Sequence, residues 1–583
     1  MDSFEKFKEP LPTQDKFESS LKGEECTDED YAHVKNIWSE FNLKNLGDLC
    51  DLYVQSDVLL LADIVSEYRR QCWDNFQLDP LHYYTAPGLT WDACLKMTGV
   101  KIELLKDPEK YQFCELAIRG GVSAISKRFA EANNKDLPDY DPAKKSNYLW
   151  YIDANNLYGK SMVSKMPISE FQWSSLTEHD IRNYNPDDDY GYFVECDITI
   201  PDSHHSKFND YPIAPEPLEI NETNSSPKSL EIRAKRLSTD ENPNKRRKIE
   251  QSFSSVKLAP NLYPKSKYIC HIKNLKFYLQ EGAVLTNIHR VLKFRQEAWI
   301  APYIMHNPRK RQLATNEFQR SFWKLLNNSF YGKCIESVRK RVCVRLIKGA
   351  DQQKFQTSKP GFKRFQMFDE NLVGVELTKP KVVLDKPIAV GVAVLEISKL
   401  VMMDWYYRVF KVKFPEATLC FSDTDSFLFD IPTDNLYRDI LDIKDHLDLS
   451  NFSKDSTLYD PSNKACLGKF KDECAGKVIT CFVGLRSKCY SLMYYDPDNN
   501  TQKQKNTAAG VKMSVKKTIK HEQYLDTLFQ SRDHIITQNS LRSQKHVIYS
   551  MKQTKCGLTA FDNKRWLLED SITTRAHGHY LNK

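Results

Sequence analysis

Three aspartates stand at the ends of two apolar, strand-like runs. Asp153 follows the run 148–152, and Asp423 and Asp425 follow the run 417–421. Because residues i and i+2 of a strand face the same way, Asp423 and Asp425 can be presented together, and pairing of the two strands would bring Asp153 to them. Such carboxylates suit Mg²⁺, and two ions about 3.5–4 Å apart would activate a hydroxyl and neutralise a leaving pyrophosphate. Taken alone, an Asp-x-Asp pair is more often a solvated turn.

A second candidate site lies on a predicted helix, within residues 322–332. Lys324, Asn328 and Tyr331 are spaced i, i+4 and i+7, so they share one helix stripe. A lysine can bind an oxygen of a triphosphate, and an amide can bind the neighbouring oxygen. A tyrosine can pack on a base, and Gly332 allows a nucleic-acid strand to approach closely. The alternative is an ordinary amphipathic helix with the apolar face Phe322, Leu325, Leu326 and Phe330.

The elements around these residues indicate a large α/β chain. With 583 residues, we expect three to five structural units. Residues 27–110 are predicted to be helical, a break follows at Gly120-Gly121, and a sheet is indicated by strand-like residues 148–152 and 192–200. Further ordered segments are predicted at 275–294, 317–338 and 388–410, the last two as helices.

Composition narrows the class of protein. The chain has 84 Lys and Arg against 77 Asp and Glu, so its net charge of +7 is only a weak indication of nucleic-acid binding. Its 15 cysteines form no CxxC pair, which favours reduced thiols in a cytosolic or nuclear protein over disulfides or a zinc module. The start has no apolar signal region, and the longest apolar run, 388–395, is too short to span a membrane. We therefore expect a protein that is neither secreted nor membrane-bound.

A polar stretch from about 219 to 256 is predicted to be a disordered insertion, because it offers little apolar area to bury. It carries the basic clusters 235–236 and 245–248, which resemble a bipartite nuclear import signal. A solvated basic loop or a nonspecific phosphate contact is an equal alternative. We predict nuclear localisation, with a cytoplasmic or viral location as the alternative.

Taken together, these motifs resemble those of family B DNA polymerases, in the family's order. Residues 153–159 resemble motif A, 324–332 motif B and 421–426 motif C. Ile118-Arg-Gly120-Gly121 and Lys488-Cys489-Tyr490 resemble the YxGG and KxY motifs of the terminal-protein-primed branch. The phrases at 208–216, 467–473 and 562–566 are similar to polymerases of Maverick/Polinton elements and adintoviruses.

The resemblance implies roles for particular residues. Asp153 and Asp425 would be the main ligands of two Mg²⁺ ions, with Asp423 supporting them and Mn²⁺ as a substitute. Tyr158 would stack under the incoming sugar and exclude a 2′-hydroxyl, Lys324 would hold phosphate, and Asn328 and Tyr331 would line the nascent pair. The residues implied in DNA binding are Gly120, Gly121, Ser329, Gly332, Lys488 and Tyr490. Departures from the family pattern are Asn156, Gly159, Ile118 and Phe421-Ser422.

The implied fold is the α/β (α+β) right-hand polymerase fold, with a palm sheet, helical fingers and a thumb. The expected divisions are a partial exonuclease-like region at 1–110, palm at 111–190 and 386–498, fingers at 295–338, and thumb at 499–583. Insertions similar to terminal protein regions 1 and 2 are expected at 191–294 and 339–385.

The N-terminal region resembles only part of an exonuclease domain. Tyr53 and Asp57 resemble the third exonuclease motif, but no Asp-x-Glu precedes them. Because a two-metal exonuclease needs further carboxylates, we predict that the chain lacks 3′–5′ proofreading. A truncated gene product is the favoured explanation over a purposeful loss.

The predicted function is DNA-directed DNA polymerase, protein-primed, in replication of a virus or transposable element. Its expected partners are primer-template DNA, deoxynucleoside triphosphates and a terminal protein primer, and we expect a monomer. The alternative function is a catalytically silent DNA-binding relic of such a polymerase.

Overall fold

The structure is a computed structural model that describes residues 4–582, apart from 20, 22–23, 240–254, 380, 498 and 545–546. The helices are α1 (Asp28–Glu40), α2 (Leu46–Phe76), α3 (Ala86–Thr98), α4 (Pro108–Leu116), α5 (Leu157–Met162), α6 (Glu178–Asn183), α7 (His205–Phe208), α8 (Pro227–Thr239), α9 (Ile272–Glu281), α10 (Ala301–Gln312), α11 (Glu317–Cys334), α12 (Ala350–Thr357), α13 (Ile388–Asp404), α14 (Lys411–Lys413), α15 (Leu436–Asp439), α16 (Met513–Thr518) and α17 (His521–Gln530). A π-helical turn, Trp405–Phe410, joins α13 to α14.

The strands are β1 (Ser123–Ile125), β2 (Phe129–Glu131), β3 (Asn147–Ala154), β4 (Met166–Ser174), β5 (Tyr190–Thr199), β6 (Glu216–Ile220), β7 (Ser255–Ala259), β8 (Lys265–His271), β9 (Val284–Glu297), β10 (Cys343–Ile347), β11 (Phe362–Asp369), β12 (Leu372–Leu377), β13 (Thr418–Asp423), β14 (Ser426–Pro432), β15 (Leu447–Asp448), β16 (Phe470–Asp472), β17 (Val478–Arg486), β18 (Cys489–Asp496), β19 (Thr501–Ala508), β20 (His534–Gln544), β21 (Val547–Leu558), β22 (Trp566–Leu567) and β23 (Thr574–Arg575). The short 3₁₀ helices are Phe4–Lys8, Gln14–Phe17, Pro80–His82, Asp202–His204, Glu222–Asn224, Val338–Lys340 and Ile440–His446.

The N-terminal region is helical, as predicted, and local capping explains where its helices begin. Thr27 and Asn45 cap α1 and α2 by accepting hydrogen bonds from backbone amides three residues later. Helix α2 contains both Tyr53 and Asp57, one turn apart. Tyr53 is 66% exposed. Neighbouring apolar residues of the same helix are also exposed, for example Leu59 at 67%. No helix in the described part of the chain is long and apolar enough to cross a bilayer.

A ten-stranded sheet positions the aspartates. Its main path is β1-β13-β14-β3-β17-β18-β19, with β2, β15 and β16 pairing at its sides. All pairs are antiparallel except β15 with β16. The central strand β3 has buried residues from Tyr148 to Ile152, which explains its nearly continuous apolar sequence.

A second sheet, β4-β9-β5-β8, contacts helix α13 through β4 and β8. Helix α13 is buried over almost its whole length and contacts α4, α5, α9 and α11. An all-round apolar helix of this kind is typical of the interior of a large protein. It packs against α5, which follows β3, and against α11. The fold is mixed α/β with large antiparallel sheets.

The prediction of disorder from 219 onward is wrong for residues 219–239. Strands β6 and β7 form a two-stranded antiparallel sheet, and α8 packs through the buried Ile232 against Ala560 and Phe561 near the end of the chain. Arg236 also pairs with Asp533, with Nε 2.7 Å from Oδ2. Composition could not reveal these contacts because they come from residues some 300 positions away. The second basic cluster, 245–248, lies outside the described residues.

Candidate active site

The structure brings the three predicted aspartates together at one end of the ten-stranded sheet. Strand β14 separates β13 from β3, and in register Asp423 faces Ser426 while Ser426 faces Asp153. The Ala154 amide donates a 2.7 Å hydrogen bond to the Asp425 carbonyl oxygen. Asp153 and Asp425 both line a cavity of about 990 Å³ between the sheet and helices α10 and α11.

The expectation that Asp423 and Asp425 lie on one strand is wrong. Strand β13 ends at Asp423, and Thr424 and Asp425 form the two-residue turn of the hairpin, with Thr424 at φ 62°. The turn packs on Gly121, where a Cβ would lie 2.5 Å from the Thr424 methyl group. The Thr424 amide also donates to the Val122 carbonyl, at 2.7 Å. The Gly120-Gly121 segment therefore supports the turn that presents Asp425.

The cavity carboxylates are poorly compensated. In the described part of the chain neither Asp153 nor Asp425 forms an ion pair with a lysine or arginine. Burial, reinforced by the negative charges of Asp425 and Glu473, raises the pKa of Asp153 to about 8. Burial and the charge of Asp423 likewise raise the pKa of Asp425. A cation from solution would relieve this repulsion.

Asp423 has a different environment. Its two carboxylate oxygens accept hydrogen bonds from Lys488 Nζ, at 2.6 and 2.9 Å. Tyr490, the other predicted DNA-binding residue of this motif, is only 5% exposed. Its ring stacks on Phe421 at 4.5 Å, and its hydroxyl lies 3.3 Å from that of Tyr151. Tyr490 therefore packs beneath the Asp423 hairpin.

The residues present fit a magnesium site in part. No group of three or more His, Cys, Asp and Glu side chains among the described residues is arranged to hold a metal ion by itself. Asp153 and Asp425 offer two carboxylates, however, and Mg²⁺ is often bound by one or two carboxylates together with substrate phosphates. The two aspartates fit that mode of binding.

The predicted helix stripe faces the carboxylates. Lys324, Asn328 and Tyr331 of α11 all line the cavity, whereas Ser329 and Gly332 do not belong to its lining. Tyr331 stacks on Tyr158, with ring centroids 4.2 Å apart and an interplanar angle of 26°. The alternative apolar face is partly wrong, because Leu325 is 48% exposed while Trp323 is buried.

Two departures from the motif A pattern depend on each other. Asn156 adopts φ 43° and caps α5, its side chain accepting a 3.0 Å hydrogen bond from the Gly159 amide. A Cβ at position 159 would lie 2.6 Å from Asn156 Nδ2. Glycine at 159 is therefore required by the asparagine at 156, and the pair places Tyr158 at the cavity.

Sequence reasoning missed several cavity residues. Glu473 follows β16, its amide donates to the Tyr151 carbonyl at 2.8 Å, and its carboxylate lies 3.0 Å from Lys505 Nζ. Asp448 accepts a 2.7 Å hydrogen bond from the Asn155 side chain and one of 2.8 Å from the Ala465 amide. The signal in the sequence was the phrase 467–473, which contains Glu473. The other missed residues of the lining include Asn327, Lys464 and Lys471.

Comparison with known proteins identifies the family and the fold of the chain. The family model for DNA polymerase type B, organellar and viral, matches residues 11–335. No curated protein sequence matches the chain. Among solved structures, the chain is similar to Phi29 DNA polymerase complexed with primer-template DNA, with a TM-score of 0.53 and 15% identity over 95% of this chain and 77% of that one.

Two further structures of the same enzyme show the same likeness. The ternary complex with primer-template DNA and incoming nucleotides gives a TM-score of 0.50, covering 91% of this chain and 73% of that one. The complex with single-stranded DNA gives 0.52, covering 91% and 72%. Each is 15% identical in sequence, so these structures show a shared fold. With more than half of its length matched by the family model, the chain belongs to the type B DNA polymerases of organelles and viruses.

Proposed function

We propose that this chain is a DNA-directed DNA polymerase of the protein-primed kind, which adds deoxynucleotides to a 3′-hydroxyl or to a protein hydroxyl. The observation that carries the proposal is the pair Asp153 and Asp425, uncompensated at the floor of a cavity whose opposite wall holds Lys324, Asn328 and Tyr331. Catalysis would then consist of positioning and electrostatic stabilisation of an in-line displacement.

The roles of the residues follow from their places in the cavity. Asp153 and Asp425 would hold divalent cations, which when bound activate the attacking hydroxyl and neutralise the leaving pyrophosphate. Lys324 and its neighbour Arg320 lie on the face of α11 that would meet the triphosphate. Tyr158, which stacks on Tyr331, would exclude a 2′-hydroxyl of the incoming nucleotide. Asp423, which contacts Lys488, would act at the primer side.

The division of the chain follows from the same proposal. Helices α10 and α11 would be the fingers, the ten-stranded sheet the palm, and the segment from 499 the thumb, with the insertions at 191–294 and 339–385 similar to terminal protein regions. The Phi29 structures contain primer-template DNA, nucleotides or single-stranded DNA, and we propose the first two as ligands of this chain. Absence of 3′–5′ exonuclease activity, kinship with Maverick/Polinton and adintovirus polymerases, and nuclear localisation remain predictions from sequence.

Primer extension with purified protein tests the proposal. A labelled primer annealed to a template is incubated with Mg²⁺ and deoxynucleotides, using wild type, Asp425→Asn and the control Glu416→Gln. Glu416 is an exposed carboxylate paired with Lys145, with atoms 2.9 Å apart. We expect extension by wild type and Glu416→Gln, and none by Asp425→Asn. DNA binding without extension by any of the three would support a silent relic instead.

A further inference from the structure

Helix α10 contains a proline in its interior, on the side that lines the cavity. Pro308 is the eighth of the twelve residues of α10. A proline has no amide hydrogen, so it cannot donate to the carbonyl four residues earlier, which here belongs to the buried Ile304. The helix nevertheless continues for another turn, to Gln312. The Ile304 carbonyl therefore needs a donor from outside the backbone of its own helix.

The side chain of Asn327, on helix α11, supplies that donor. Its Nδ2 donates to the Ile304 carbonyl oxygen at 3.3 Å, and its Oδ1 accepts a 2.6 Å hydrogen bond from Asn307 Nδ2. Asn307 directly precedes the proline, and the ring of a proline disfavours the helical conformation of the residue before it. One amide thus binds both positions of α10 that Pro308 disturbs.

This amide bridge lies inside an otherwise apolar contact between the two helices. Asn307 is fully buried and Asn327 is 2% exposed. Beside them the ring of Tyr303 packs on Phe330, with centroids 6.0 Å apart. Buried amides are stable in such surroundings only when hydrogen bonds satisfy them. The roles assigned above use the neighbouring Asn328 and leave Asn327 without one.

The turn of α10 that follows Pro308 contributes side chains to the cavity. Arg311 and Gln312 both line it. Gln312 Nε2 donates to the Lys464 carbonyl oxygen at 3.5 Å, in a loop that also lines the cavity. Arg311 forms no ion pair in the described part of the chain. The direction of this last turn therefore sets where the free guanidinium of Arg311 lies relative to Lys324 on α11.

We propose that Asn327 is a positioning residue for the incoming nucleotide: it supplies the hydrogen bond that Pro308 removes from α10, and so fixes Arg311 where the triphosphate binds. The proposal rests on the polymerase function proposed above. Helices α10 and α11 bring three cations to the cavity, Arg311, Arg320 and Lys324, and a polyphosphate is the ligand that such a group suits. A cation that is already held in place loses less conformational freedom when the ligand binds.

Restoring the missing backbone donor tests the proposal. Single-nucleotide incorporation with Mg²⁺ is measured for wild type, Asn327→Leu, Pro308→Ala and the double variant. We expect Asn327→Leu to raise KM for the deoxynucleotide about tenfold and to change kcat by less than about twofold, because the cation ligands stay in place. In the double variant the amide at position 308 can donate to Ile304, so KM should return to within about twofold of the Pro308→Ala value.

A binding measurement gives the same comparison without catalysis. The nucleotide is titrated onto protein bound to a primer-template whose primer ends in a dideoxynucleotide, which yields a Kd. Asn327→Leu should weaken binding about tenfold, and the double variant should recover it. Because Asn327 acts through Arg311, Asn327→Leu should lose no further affinity in a protein that already carries Arg311→Met.

Asn274→Leu is the matched control for a purely structural role. Asn274 is buried on α9, and its Nδ2 donates at 2.8 Å to the Glu396 carbonyl oxygen of α13, away from the cavity lining. Its loss breaks the same kind of bond, so Asn274→Leu should lower Tm and leave KM unchanged. Asn327→Ser, whose side chain is too short to reach Ile304, supplies the same cycle if Asn327→Leu does not fold, as judged by its Tm.

The outcomes separate this inference from the proposed function. A KM that stays high in the double variant, or independent losses for Asn327→Leu and Arg311→Met, would overturn the positioning role. In a wild-type protein that extends primers, such results would leave the polymerase function standing. Rescue of nucleotide binding in a protein that never extends a primer would support the positioning role and refute the catalytic proposal.

Discussion

Carboxylates at the cavity end of the ten-stranded sheet lack a lysine partner, whereas others in the same sheet have one. Asp153 and Asp425 face the cavity, and burial raises the pKa of both. Asp496, at the far end of β18, accepts hydrogen bonds from Lys477 at 2.8 Å and from Lys503 at 2.5 Å, which hold its pKa well below the usual range. Asp423 is likewise paired with Lys488.

This difference indicates what the cavity is for. An uncompensated, partly buried carboxylate costs free energy, and at Asp423 and Asp496 of this sheet a lysine removes that cost. At the cavity the compensating cation has to come from solution. Substitution of single carboxylates tests whether compensated and uncompensated groups differ as this contrast implies.

The largest effect is expected for Asp153→Asn. Primer extension should fall by about a thousandfold or more, because one of the two cation ligands is lost. In metal-free buffer the same change should raise the free energy of unfolding by about 1 kcal/mol, because a neutral amide removes the cost of burying an ionisable carboxyl next to the negative charges of Asp425 and Glu473. Single-turnover extension and urea unfolding measure the two effects. Asp423→Asn is the matched control and should lower stability, since it removes the partner of Lys488.

A compensated carboxylate deep in the palm should behave in the opposite way. Glu396 on α13 is buried with Arg119 Nη2 at 3.4 Å and Lys399 Nζ at 3.3 Å. Glu396→Gln should lower the free energy of unfolding by about 3–5 kcal/mol, because two buried cations lose their partner. Urea unfolding checks this. Glu67→Gln, which breaks the exposed pair with Arg70, should lower the free energy of unfolding by less than about 1 kcal/mol. Equal losses for Glu396→Gln and Glu67→Gln would contradict this prediction.

Asp472 is an intermediate case, because backbone amides rather than lysines oppose its burial. Burial raises its pKa to about 6 although the Cys474 amide donates to it at 2.7 Å. The folded protein therefore binds more protons than the unfolded chain between about pH 4 and pH 6, so stability falls as pH rises through this window, by about 3 kcal/mol. Urea unfolding from pH 4 to 7 measures the free energy of unfolding of wild type and of Asp472→Asn. If Asp472 ionised normally, the difference between the two would not change with pH.

The smallest effect is expected for Asp448, a cavity carboxylate whose partners are all neutral. Burial opposes its ionisation, but hydrogen bonds from Ser450, Ala465 and Asn155 outweigh it and lower its pKa. Asp448→Ala should raise KM for deoxynucleotides about tenfold with little change in kcat, because the Asn155-Asn156 turn loosens while the cation ligands remain. Single-nucleotide incorporation measures both constants. Asp455→Ala, exposed in the same loop, should change neither, and a selective loss of kcat in Asp448→Ala would contradict this role.

Local patterns predicted the elements of the site well. The strand ending at Asp153, the helix carrying Lys324, Asn328 and Tyr331, and the helical N-terminal region all follow from short-range periodicity. Asp425 was assigned to a strand because alternation alone does not show where a two-residue turn begins. The alternative amphipathic-helix interpretation places Leu325 on the apolar face, but helix spacing alone does not show which residues other segments bury.

Contacts between distant segments account for what was missed. Glu473 reaches Asp153 because β16 pairs with β3, some 320 residues earlier in the chain, and no local pattern contains that pairing. The helix α8 is another example, since its buried Ile232 packs on residues near the end of the chain. Apolar content within a window could not predict burial that other segments provide.

The amino-acid sequence determined by itself which side chains end the strands, which share a helix stripe, and in what order the motifs occur, because these depend on neighbours within a few residues. Only the tertiary structure decided which carboxylates have a lysine beside them and which remain uncompensated. The physical reason is that Coulomb interactions and burial depend on distance in space, and strand pairing sets that distance independently of separation along the chain.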